Sequence, residues 1–188
     1  MRKGLMALAG SMLLLGTSNV WAGDVRPEAP AVDGTVMFVQ VQQTEAKPGD
    51  IITVDVYINN VANLSLYQVQ LKAVGGERGR LIPEQVEIQK TRRDYVLGGT
   101  GIIEAADQRN KRAGGLLMQG SVDVTRPAYL ATFTYRVSSD AAGTFKVNIN
   151  RGSETFISDQ SSATLSFGAG ADAEITVTGV APKRSRSR

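Results

Sequence analysis

Residues 46–60, AKPGDIITVDVYINN, decide how the rest of the chain is read. Pro48-Gly49-Asp50 is turn chemistry: proline fixes one backbone angle and glycine is free to take a positive one. The residues after the turn alternate strictly, with Ile52, Val54, Val56 and Ile58 on one side and Thr53, Asp55, Tyr57 and Asn59 on the other. A period of two held across this stretch predicts a strand with one buried and one wet face.

The same pattern recurs in both directions. Thr35 to Gln42 is a first strand, and Tyr67, Val69, Leu71 and Ala73 alternate with Gln68, Gln70 and Lys72 before Gly75-Gly76 closes the run. Tyr129 to Val137 places Ala131, Phe133, Tyr135 and Val137 inward. The turn at Ala142-Gly143 then leads to Thr144 to Asn150, with Phe145, Val147 and Ile149 inward. Leu116 to Val124, Thr164 to Phe167 and Glu174 to Val180 complete the set. Residues 77–115 carry Pro83, Val86-Glu87-Ile88, Gly98-Gly99 and Gly114-Gly115. They are expected to form a long irregular excursion with one short strand and one helical turn near Glu104 to Arg109. About eight or nine short strands spaced by turn residues specify an all-β, antiparallel β-sandwich of jelly-roll type.

The ends read differently from the body. Arg2 and Lys3, the apolar run Leu5 to Leu15, and Val20-Trp21-Ala22 have the form of an export signal over 1–22. Residues 23–34 read as a flexible spacer, 35–180 as the sandwich and 181–188 as a disordered basic tail. The implied address is outside the cytoplasm: secreted, at the cell surface, or in the periplasm. No second run is long enough for a membrane span after the signal. The formal charge of +3 belongs to the ends, since the chain without its signal and tail holds 15 basic against 18 acidic residues. That balance argues against a nucleic-acid partner. With no cysteine and no histidine, the chain has no disulfide and lacks the usual ligands of zinc, copper or haem. Calcium is the metal left by donor type, with Asp50, Asp107, Asp140 and Asp159 in turn-like contexts but without the spacing of a calcium loop.

Three pieces, 46–61, 63–76 and 129–147, resemble the cohesin family and its carbohydrate-binding-module-like relatives. They are AKPGDIITVDVYINNV, NLSLYQVQLKAVGG and YLATFTYRVSSDAAGTFKV, in the family's order. The chain departs from the pattern where Val74-Gly75-Gly76 replaces a Tyr-Asp-Pro-like stop, and it holds no dockerin-like loop repeat. The resemblance implies a protein partner, dockerin-like or another surface protein, docking on the flat face of one sheet. Outward positions of the matching strands are Gln68, Gln70 and Lys72, and Leu130, Thr132 and Thr134, with Leu130 as a small apolar centre.

Other chemistries leave fainter marks. Catalysis lacks the commonest base and thiol nucleophile; Asp94, Glu104, Asp107 and Asp123 are carboxylates of the type a glycosidase uses, yet nothing pairs them, and no catalytic residue is assigned. Polysaccharide binding, in a carbohydrate-binding module linked to polysaccharide degradation, would rest on Tyr57 and Tyr95, since the one tryptophan, Trp21, sits in the signal. Arg92-Arg93 and Arg109, Lys111 and Arg112 are expected to pair with Asp94, Glu104 and Asp107 beside them, or else to bridge an anion. The expected activity is therefore non-enzymatic binding or adhesion, with carbohydrate binding or assembly through sheet edges as alternatives.

Overall fold

A computed structural model describes residues 34–98 and 101–178; the expected signal, nearly all of the expected spacer and the expected basic tail lie outside them. Among the described residues there are fifteen strands and no helix. The chain begins with β1 (Val36–Val41) and the short β2 (Glu45–Ala46). It turns at Pro48-Gly49, where Gly49 has φ of 90°, and enters β3 (Ile51–Asn59). Asp50 holds this turn, its carboxylate accepting the Lys47 amide at 2.8 Å while its own amide donates to the Lys47 carbonyl at 3.0 Å. Next come β4 (Val61–Leu64), β5 (Leu66–Gly75), β6 (Leu81–Glu87), β7 (Ile102–Asp107), β8 (Arg112–Leu117) and β9 (Val122–Val124). The last part comprises β10 (Ala128–Val137), β11 (Gly143–Ile149), β12 (Phe156–Ser158), β13 (Thr164–Leu165), β14 (Gly168–Ala169) and β15 (Ala173–Val177).

Two large sheets result. The first has the order β14-β1-β3-β10-β6; the second runs β13-β12-β5-β11-β15-β2, with β8 on β5 and β7 on β8. β4 and β9 form a separate ribbon. The strands exceed the expected number because short segments, two to four residues long in β2, β4, β9 and β12 to β14, join the ladders. Pairing is antiparallel except for β1 with β14 and β2 with β15. Ile52, Val54, Val56 and Ile58 are fully buried, as their period requires, and meet Tyr67, Val69, Phe145, Val147 and Ile175 in one core. Each such side chain contributes about 1.5–3 kcal/mol on full burial.

The middle of the chain is more regular than expected. Residues 104–109 form no helical turn: β7 and β8 make a hairpin in register from Ile102↔Leu117 to Asp107↔Arg112. Asp107 closes it by accepting the Arg109 and Asn110 amides, both at 3.0 Å. Gly114-Gly115, which reads as a break, lies inside β8, and a Cβ on Gly115 would stand 2.7 Å from the Tyr67 ring and 2.8 Å from Leu97. Glycine is there because two buried side chains press against the backbone, and not because the chain turns.

The hairpin also closes an edge. The Gln108 side-chain amide stands in for a strand beside β6, accepting the Val86 amide at 3.1 Å and donating to the Val86 carbonyl. Lys111 donates to the neighbouring Glu84 carbonyl.

Candidate functional site

The outer face of the first sheet is built around β3 and β10. Here Phe38, Tyr57 and Tyr129 form a ladder, with ring centroids 5.6 and 6.1 Å apart. Residues 94–96 run beside the start of β10, through Tyr129 N–H to the Asp94 carbonyl at 2.7 Å and Val96 N–H to the Tyr129 carbonyl at 3.0 Å. This alternation sends Tyr95 and Leu97 into the core and brings Arg92 over the rings. The Arg92 guanidinium sits 4.0 Å from the Tyr129 ring centre and donates to Asp55 at 3.0 Å, Tyr57 at 2.8 Å and Asp94 at 2.9 and 3.0 Å.

These contacts overturn the reading of Tyr57 and Tyr95 as glycan platforms: they are 3% and 7% exposed. Tyr95 turns inward and meets the Tyr67 hydroxyl at 3.3 Å, while Tyr67 donates to the Leu130 carbonyl at 2.9 Å. Burial, then the Asp55 charge, pushes Tyr57 up to about 12, and burial does the same to Tyr95 and Tyr129. Burial alone would lower Arg92, but its bonds to Asp94 and Asp55 raise it.

Leu130 and Thr132 are also not surface residues. The β3–β10 register slips between Tyr129 and Ala131, so Tyr129 lies opposite Tyr57 on the outer side while Ala131 stays opposite Val56 in the core. Leu130 falls at this bulge and is fully buried. Thr132, 3% exposed, donates to Asp55 at 2.7 Å and shares a bond with the Tyr129 hydroxyl at 2.7 Å. Thr134 is half-buried. These three lie in the first sheet and Gln68, Gln70 and Lys72 in the second, so the six expected positions do not form one face.

The outer face of the second sheet is open. Leu66, Gln68, Gln70 and Lys72 on β5 lie beside Leu116, Gly114 and Arg112 on β8, which lie beside Ile103, Ala105 and Asp107 on β7. Phe156 flanks Gln68 from β12. One end is apolar: Ile103 is 53% exposed, and Leu66, Leu116 and Phe156 are half-buried around a shallow depression of about 180 Å³. Gly114 and Ala105 keep its floor flat. The other end is a fixed polar network. Arg112 pairs with Glu154 at 3.0 Å and Asp107 at 3.3 Å, and Gln70 donates to the Asn110 carbonyl at 2.7 Å and accepts from Asn150 at 2.5 Å. Such a surface, flat and apolar at one end with a held polar rim, suits contact with another macromolecule.

The carboxylates considered for catalysis are dispersed. Asp94 binds Arg92, Glu104 lies 3.5 Å from Lys90, Asp107 closes its hairpin and Asp123 accepts the Asn63 amide at 2.8 Å. The expected local ion pairing holds for Arg92 with Asp94 and for Arg112 with Asp107. The four aspartates considered for calcium serve turns: Asp140 accepts from the Ser138 hydroxyl at 2.7 Å and Asp159 accepts the Ser161 and Ala163 amides. Among the described residues, no group of three or more acidic side chains is placed to hold a metal. The Asn110 amide and side chain draw the Asp107 carboxyl down to about 2.

No family model matches the chain, and no curated protein matches it in sequence. Solved structures match it in fold. A type II cohesin domain from the cellulosome of Acetivibrio cellulolyticus is 15% identical with a TM-score of 0.50, over 76% of this chain and 95% of that one. The type II cohesin A11 of Bacteroides cellulosolvens is 16% identical with a TM-score of 0.55, over 76% and 99%. CaCohA2 of Clostridium acetobutylicum is 18% identical with a TM-score of 0.50, over 78% and 94%. The fold is cohesin-like, as the three sequence pieces imply.

Proposed function

We propose that this cohesin-like sandwich is a non-enzymatic protein-binding module that docks its partner on the outer face of β5, β8 and β7. The observation that carries the reading is the uncovered apolar end of that face, where Ile103 is half exposed beside Leu66, Leu116 and Phe156. A partner that covers these four and bonds to the Gln68–Arg112 rim would gain apolar burial at its centre and register at its edge. The module works outside the cytoplasm, a reading supported by the charged start, apolar run and small-residue site of residues 1–22. Secreted protein is expected to begin at Gly23.

Affinity capture from the native extracellular fraction tests the docking face. The wild-type chain should retain a defined protein that the double variant Ile103→Asp with Leu116→Asp releases while keeping the β spectrum. Equal retention by the variant would overturn the assignment.

A further inference from the structure

The arginines divide into two groups. Arg92, Arg112 and Arg136 are ion-paired, whereas Arg80, Arg109 and Arg151 make no ion pair or side-chain hydrogen bond among the described residues, and neither do Arg93 and Arg126. Arg93 and Arg126 are both exposed, and both line one depression of about 190 Å³ between residues 93–96 and 122–128. This notch shares no residue with the face of β5, β8 and β7.

Its walls are fixed. The two backbone bonds between Tyr129 and residues 94 and 96 tie one side to the other. Arg92 anchors Asp94 at 2.9 Å, and the Asp123 bond to the Asn63 amide holds the far wall beside the β4–β9 ribbon. The backbone segments that carry the two arginines are therefore held side by side. Two exposed guanidiniums on one depression can each bind an oxyanion, a carboxylate included, through a charge-assisted pair.

The rest of the lining narrows the ligand. Asp94 is committed to Arg92, but Asp123 uses one oxygen for Asn63 and leaves the other without a protein donor among the described residues. A carboxylate acceptor beside two arginines disfavours a bare, multiply charged anion and favours a ligand carrying both an acid and hydroxyl donors. The volume is below that of a drug-sized site. The geometry points to a subsite for one uronic acid residue of an acidic polysaccharide, its carboxylate on Arg93 and Arg126 and a ring hydroxyl donating to Asp123. Tyr57 and Tyr95, both buried, take no part.

The test is calorimetric titration of the full chain with oligogalacturonate, neutral xylo-oligosaccharide, inorganic sulfate and polyglutamate. Oligogalacturonate should bind in preference to the other three. Arg93→Gln and Arg126→Gln should each weaken it about tenfold or more, and the pair should abolish it. Asp123→Asn, which keeps an acceptor for Asn63, should also weaken it, because a hydroxyl loses its charged acceptor. The proposal fails if oligogalacturonate does not bind at millimolar concentration, or if any of the other three probes binds as well. It also fails if Asp123→Asn strengthens binding, as a simple anion hole requires. Retention that survives the double arginine variant would overturn it too, assigning the charge to the basic residues 183–188 instead.

Discussion

The two outer faces of this sandwich start from the same kind of sequence and end in opposite states. On the first sheet, the outward residues Asp55 and Tyr57 are roofed by Arg92 and backed by Tyr129 and Thr132. On the second, Leu66, Gln68 and Ile103 have no such roof, and the apolar end stays open. Alternation fixes which side of a sheet a residue takes. Whether that side is wet depends on what a distant segment lays over it.

Alkaline titration should separate the faces most strongly. All of the chain's tyrosines are buried, two of them, Tyr57 and Tyr129, under Arg92, and none is exposed on the open face. Burial raises Tyr57, Tyr95 and Tyr129 to about 12, and raises Tyr67 and Tyr135 further. A neutral group favoured by the fold stabilises it fully below its unfolded value, about 10, and ceases to do so as pH climbs past the folded value. Stability should therefore hold to about pH 10 and collapse toward pH 12, with tyrosinate absorbance and loss of the β spectrum appearing together. Tyrosinate formation in an intact fold at about pH 10 would break the comparison.

Removing the roof comes next. Arg92→Met leaves Asp55 buried without its partner, and chemical denaturation should show a loss of about 3 kcal/mol or more. Adding Asp55→Asn should recover part of it, since the stranded charge goes. Gly115→Ala, beneath the open face, should cost about 1–3 kcal/mol by pushing Tyr67 and Leu97 apart, leaving the surface above it unchanged. Smallest of all, Ile103→Lys should change stability by about 0.5 kcal/mol or less, because the side chain is already half in water. A larger loss would mean that this face is covered after all.

Much of the fold was legible. The alternate residues read as inward in β3, β10 and β11, and Tyr67, Val69 and Leu71 in β5, are all buried, so they could be named from the sequence. The hairpin of β7 and β8 could not, because Gly114-Gly115 spells a turn unless one knows that Tyr67 and Leu97 press against it. Of the expected docking positions, Gln68, Gln70 and Lys72 do lie on the open face. Leu130 was misplaced by a one-residue bulge with no sequence mark, whereas Thr132 and Tyr57 keep the outer side and are buried in the network that Arg92, 35 residues from Tyr57, closes over them. Ile103, Leu116 and Phe156 were missed because their strands are short or glycine-rich.

The Gln108 amide that completes the edge of β6 is carried by the tip of a hairpin from the opposite layer. It is thus a rivet as well as a stopper. An incoming chain seeking to extend the first sheet finds its ladder occupied at Val86, which disfavours fibril-like growth on that side. Under tension the layers cannot slide past one another at this seam without breaking both amide bonds at once.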